Sequence, residues 1–262
     1  QSLCHNSAQS REDFRALGGF LPLIAMLMGT QEEVPPAVRL IACTIINNSA
    51  NKTEVGRMGG VPVLVRLLSH ANTERTLQFA LVLLSRHIIM HPEDACVLID
   101  AYGGKALPKL VHLIENAESD LSRKCACQVV SLCAREGGAR VQTKLLQLGT
   151  MKKLVSMVTP PLTLDEKTAL FCLSAMAACA TDEQCRKRLK KVGVRRVLEA
   201  IGSWSASPGA GSSRDFEFLR RAASNTLAVC TAPFFFDDGS AELEQALIVS
   251  DIITGTWKVN MH

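Results

Sequence analysis

The 262-residue chain is 47% hydrophobic but only 5% aromatic, and its net charge is +4. It is long enough for one or two domains with a large core, and Leu, Val, Ile and Ala favour helix-on-helix packing over an aromatic-rich sandwich. No run of about 18 uncharged apolar residues marks a membrane span, no signal peptide is visible, and so small a positive excess carries no message about nucleic acid.

Taken in chain order, the sequence repeats one phrase. Residues 1–9 read as the end of a preceding helix. In 10–50, "GGFLPLIAML" leads to "VPPAVRLIACTII". In 51–91 the pattern is clearest. "NKTEVGRM" is a short first helix stopped by Gly59-Gly60, since glycine readily adopts the left-handed conformation that ends a helix. "VPVLVRLLS" is a second helix with Pro62 in its first turn, where a missing N–H is harmless. After the polar turn "HANTE", "RTLQFALVLLSRHIIM" is a longer third helix, apolar on more than one face and so buried on more than one side.

The next unit, 92–136, opens at Pro92, and "GGKALPKLVHLI" leads to "DLSRKCACQVVSLCA". In 137–180, "GTMKKLVSMV" leads to "LTLDEKTALFCLSAMAACA". In 181–231, "GVRRVLEAIG" leads past an insertion to "SSRDFEFLRRAASNTLAVC". Residues 232–262 read as a partial repeat or cap. The glycines that begin the copies, Gly18, Gly59, Gly103, Gly149 and Gly193, are 41, 44, 46 and 44 residues apart. Such a period means an all-α solenoid whose units must stack, because one unit cannot bury its own apolar faces. The chain begins at Gln1 without a Met, which reads as a segment of a longer protein.

The ten cysteines form no CxxC pair and have no histidine at ligand spacing, so no metal site is expected. Most lie in apolar helical text and read as reduced, buried hydrophobes of a cytoplasmic or nuclear protein. Cys185, beside Arg186 and Lys187, is the best candidate for a reactive thiol. No phosphate-cradling loop, nucleophile elbow or catalytic dyad is readable. Neither an enzyme nor a cofactor is expected.

The Gly-Gly punctuation, the Leu/Val-rich second helix and the Ala/Leu-rich third helix resemble armadillo repeats of the β-catenin and importin-α type, over nearly the whole chain. The resemblance implies a right-handed superhelix of about five three-helix repeats. Its third helices would line the concave side, where many members bind an extended peptide through a ladder of Asn. That ladder position falls near Thr44, His87, Ser131, Ala175 and Thr226. None is Asn and the matching Trp residues are missing, which argues against an importin-like carrier of basic signals.

Charge gives a different pattern. The third-helix bodies, 36–48, 77–90, 123–135, 167–179 and 219–230, contain no Asp or Glu. Acids gather at the helix starts instead, as at Glu74, Asp120, Asp165 and Asp215, where they complement the helix dipole. On the concave side that the resemblance implies, the ladder positions Thr44, His87 and Ser131 join Arg39, Arg86, Arg123, Lys124, Lys167 and Arg220 in the expected partner groove, gripping an acidic linear or helical segment of another protein. The alternative is solvated rim arginines with no ligand.

A second basic feature is "RKRLKKVGVRR", with Arg186, Lys187, Arg188, Lys190, Lys191, Arg195 and Arg196. It reads either as a solvated helix face or as a contact for phosphate or anionic lipid, or as a nuclear localisation signal. No aromatic residue interleaves it, which counts against single-stranded nucleic acid. The insertion 203–213 reads as a flexible surface loop with Trp204 at its base. Phe234, Phe235 and Phe236 either seal the solenoid end or form a docking patch. The function expected is a non-enzymatic scaffold or adaptor. The rivals are a co-chaperone-like module embracing a folded client and an autoinhibitory or metabolite-sensing module of a larger protein. Self-association through the end repeats is compatible with all three.

Overall fold

The computed structural model describes residues 7–29, 32–45, 48–58, 60–70, 73–90, 92–162, 164–203 and 213–231. Among these the chain is helical throughout its regular structure, with no strand. The first unit holds α1 (Ala8–Ala16), α2 (Phe20–Leu27) and α3 (Val34–Ile45). The second holds α4 (Ser49–Arg57), α5 (Gly60–His70) and α6 (Glu74–Met90). The third opens with a 3-10 turn (Pro92–Ala95), followed by α7 (Val97–Gly104), α8 (Ala106–Asn116) and α9 (Asp120–Glu136). The fourth holds α10 (Gly138–Gln147), α11 (Thr150–Met157) and α12 (Glu166–Cys179), and the fifth α13 (Glu183–Lys191), α14 (Val194–Gly202) and α15 (Ser213–Thr231).

The punctuation has physical causes. Gly149 and Gly193 sit at φ 70° and 81°, immediately before α11 and α14. An L side chain there would cost of order 1–2 kcal/mol, so the break between first and second helices depends on glycine. Six of the described helices start on side-chain caps: Ser7, Asn48 and Thr73 serve α1, α4 and α6, and three more serve the later units. Ser119 Oγ accepts from Ser122 N (3.1 Å), Asp165 Oδ1 from Thr168 N (3.2 Å) and Asp182 Oδ1 from Cys185 N (2.8 Å). Each satisfies one of the N–H groups that a helix start leaves over. Two boundaries differ from the sequence reading. Ser7 caps α1, so the first helix starts at Ala8 rather than after residue 9. Pro92 starts a single 3-10 turn, and the α-helix of that unit begins only at Val97.

The third helices form the spine. α6 packs on α9, α9 on α12 and α12 on α15. Every residue of α9 from Cys125 to Ala134 is buried, and every residue of α12 from Thr168 to Cys179. A helix buried all round cannot be amphipathic, so both read as Ala, Cys, Ser and Leu with few charges. The small residues let neighbouring helices approach closely. Ser131 Oγ donates to Ser174 Oγ across the α9–α12 seam (2.9 Å), and Cys172 Sγ meets Cys127 Sγ at 3.7 Å. Larger side chains such as Leu84, Ile88, Leu110 and Ile114 fill the space between layers at 0% exposure, each contributing about 1.5–3 kcal/mol.

Polar side chains tie consecutive units together. Asn51 Nδ2 donates to Thr44 O (3.0 Å) and Arg11 O (2.9 Å). Gln142 Nε2 donates to Ala134 O (3.1 Å), Ala178 O (3.0 Å) and Thr181 Oγ1 (3.1 Å). Glu74 accepts from Ser119 Oγ and Ser122 Oγ, each at 2.5 Å, joining α6 to the start of α9. Stacked repeats rely on such neighbour-to-neighbour contacts for their cooperativity.

Candidate functional site

The third helices divide the expected groove residues into two groups. The first is built into the seams. Thr44 is fully buried, and its hydroxyl donates to Ile41 O (2.8 Å) and Leu40 O (3.0 Å) of its own helix. His87 is buried with Nε2 2.5 Å from Asp94 Oδ2, linking α6 to the following 3-10 turn. Ser131 is buried and bonded to Ser174. Ala175 and Thr226, on the same expected ladder, are buried too. The resemblance implies a concave-surface place for these residues; the structure buries them between helices. The reason is angular. Successive helical residues are 100° apart, so an error of one residue turns a groove position into a seam position.

The second group reaches the surface. Lys167 and Arg220 are exposed, and Arg39, Arg123 and Lys124 are half-buried. Arg39 Nε donates to Pro35 O (3.3 Å), and Arg220 Nε to Gly202 O (3.0 Å). Arg123 is held by Asp120 (2.5 Å) and donates to Ala117 O (3.1 Å), so its guanidinium braces the start of α9. The side chain of Arg86 lies outside the described residues. The caps Ser119 and Asp165 put Leu121 and Lys167 at equivalent positions, two residues into α9 and α12. Leu121 is 40% exposed, and Phe218, near the start of α15, is 42% exposed. The rim formed by the N-terminal halves of the third helices thus combines cations (Lys124, Lys167, Arg220, Arg221) and two apolar side chains with exposed acids at Asp120, Asp165 and Glu217. Leu121 and Phe218 went unremarked in the sequence because a lone apolar residue in a helix normally reads as core.

The basic run divides in the same way. Arg186 is half-buried, and its Nε donates to Ala180 O (2.8 Å), at the C-terminus of α12. It is a helix-capping residue rather than part of an open surface. Lys187 pairs with Glu183 (2.6 Å) and Arg195 with Glu199 (3.3 Å), both one turn apart on one helix. Arg188, Lys190, Lys191 and Arg196 are exposed.

Chemistry at the buried cysteines is suppressed. Cys185 is fully buried and its Sγ donates to Gln142 O (3.4 Å), so the thiol singled out as reactive has no access to solvent. Burial pushes the Cys133 thiol well up and, foremost, the Cys230 thiol to about 12, which suppresses the thiolate. Among the described residues no group of three or more His, Cys, Asp or Glu could hold a metal ion, and no helix is long and apolar enough to cross a membrane. Trp204, most of the 203–213 insertion and Phe234 to Phe236 lie outside the described residues.

Comparison with known proteins adds the following. No protein-family model matches the chain, and no curated protein does. Solved structures do. Computationally designed armadillo repeat proteins for modular peptide recognition share 20% identity, over 87% of this chain and 89% of theirs, with a TM-score of 0.67. An engineered protein matches at 20% identity over 87% of this chain and 86% of its own, with a TM-score of 0.69. A designed armadillo repeat protein in complex with the peptide (KR)4 matches at 20% identity over 86% and 89%, with a TM-score of 0.63. Together with the stacked three-helix units described above, these likenesses establish the chain as an all-α solenoid with the armadillo-like repeat fold.

Proposed function

We propose that this protein is a non-enzymatic scaffold that captures an acidic segment of another protein on its third-helix rim, reading side-chain charge rather than peptide backbone. The observation that carries the reading is the distribution of charge on the third helices. Their bodies hold no Asp or Glu, while Lys124, Lys167, Arg220 and Arg221 stand at accessible positions. Arg39 and Arg123 extend the positive edge, and Leu121 and Phe218 offer the apolar contacts that a partner needs at its centre. Thr44, His87 and Ser131 act beneath this surface, by fixing the spacing of the helices that carry it.

The structural neighbours support a peptide-type partner, since one set was designed for modular peptide recognition and another holds a (KR)4 peptide. A basic peptide of that kind would meet like charge here, whereas carboxylates would find complementary guanidinium and ammonium groups. The test is an array of proteome-derived peptides probed with the wild-type chain and with Lys124→Glu/Lys167→Glu. Acidic peptides should bind the wild type and lose the double variant. Binding that survives the charge reversal would defeat this reading. An array on which nothing binds would move the account to a folded client.

A further inference from the structure

The outer helices of the fourth and fifth units carry a second charged surface, independent of the rim. Residues 137–164 contain no Asp or Glu. On α10, α11, α13 and α14 the only acids are Glu183 and Glu199, and both are taken by Lys187 and Arg195. Other cations on these helices are also committed: Arg140 to Asp100 (2.8 Å), Lys153 to Glu115 and Arg186 to Ala180 O. Lys144, Lys152, Arg188, Lys190, Lys191 and Arg196 remain, five of them exposed and Lys144 half-buried.

Four of these six occupy equivalent places on the two units, and Lys190 and Lys191 add to them on α13. Gly149 and Gly193 occupy the same left-handed position before α11 and α14. Counting from them makes Lys144 equivalent to Arg188, and Lys152 to Arg196. α13 packs against both α10 and α11, so the two units are stacked directly and equivalent cations fall in adjacent columns. We propose that this surface docks the protein on an anionic lipid bilayer by electrostatic attraction to headgroup phosphates and carboxylates.

Three observations favour a bilayer over other polyanions. The large hydrophobic residues exposed among the described residues are Leu17, Leu21, Met28, Val97, Leu121 and Phe218. None lies on the four helices, so the surface lacks the apolar centre of a specific protein interface. No aromatic residue lies on them either, so single-stranded nucleic acid has nothing to stack on. The cations spread over four helices in two units, rather than along one element that could enter a duplex groove. Clusters of four to eight Lys and Arg on an amphipathic helical surface suit a plane of negative headgroups.

Vesicle co-sedimentation tests this directly. The wild-type chain should sediment with phosphatidylcholine vesicles containing phosphatidylserine, not with pure phosphatidylcholine, and molar salt should release it. At about 1 kcal/mol per cation, Lys190→Gln/Lys191→Gln should weaken partitioning roughly 30-fold. Arg188→Gln/Arg196→Gln is the second variant should the first fail to fold, as judged by circular dichroism. Lys124→Glu/Lys167→Glu should still bind vesicles, which separates this surface from the rim. Binding to neutral vesicles, no binding to anionic ones, folded variants that bind like wild type, or displacement by duplex DNA at equal phosphate concentration would each overturn the proposal.

Discussion

Replacing Gln142 by Leu should loosen the solenoid at one defined seam. Gln142 is buried on α10, and its amide spans the C-terminal turns of α9 and α12 by donating to Ala134 O, Ala178 O and Thr181 Oγ1. Leu has nearly the same volume, so no large cavity opens. Ala178 O keeps the Thr181 hydroxyl as a partner (2.8 Å), so its loss is one bond of about 1 kcal/mol. Ala134 O, in the last turn of α9, loses the amide that served it, and an unpaired buried acceptor costs about 1–3 kcal/mol. The extra apolar burial of Leu returns about 1 kcal/mol, leaving a net destabilisation of about 2 kcal/mol by these terms. Because each unit touches only its neighbours, the loss falls on the coupling between the third and fourth units. Urea unfolding followed at 222 nm should show a lower midpoint and a broader transition. A change below about 0.5 kcal/mol, the range of ordinary surface substitutions, would refute the claim that this amide joins the units.

Glu74 and the cysteines give two further predictions. Burial alone would raise the Glu74 carboxyl, but hydrogen bonds from Ser119, Ser122 and Gln78 outweigh it and hold the group below its usual value. A lowered folded-state value means that the stabilisation is present above the unfolded carboxylate's pKa and is lost as pH falls through the folded one. Glu74→Gln should therefore flatten the acid limb of the stability–pH curve, and an unchanged limb would count against the assignment. Of the described cysteines only Cys43 and Cys96 are partly exposed. A thiol reagent at neutral pH should label these two within the native state, while Cys127, Cys133, Cys172, Cys179, Cys185 and Cys230 should react only on unfolding. Rapid native labelling of Cys185 would show that its surroundings open.

The repeat was legible because its signals are local. Left-handed glycine, proline in a first turn and an acid at a helix start each act within a few residues, so Gly149, Gly193 and Asp165 could be read without knowing what packs where. The surface was legible only in its charges. Lys167 and Lys190 announce exposure by their chemistry, since an ammonium resists burial. Thr44, Ser131 and Thr226 give no such announcement, because a small hydroxyl can bond back to its own helix, as at Thr44 and Thr226, or to another across a seam, as at Ser131, and be buried at little cost. Arg186 misled in the opposite sense: it sits in a basic run, yet its guanidinium caps α12 across a turn. Gln142 could not be read at all, because its three partners come from two helices that only the stacking brings together.

The central claim is that the third-helix rim recognises acidic side chains. Fluorescence anisotropy with two labelled peptides of equal length and apolar content, one rich in Glu and one in Lys and Arg, tests it most directly. The account predicts binding of the Glu-rich peptide alone, weakening with salt and lost in Lys124→Glu/Lys167→Glu. Tighter binding of the basic peptide by the wild-type chain would contradict it.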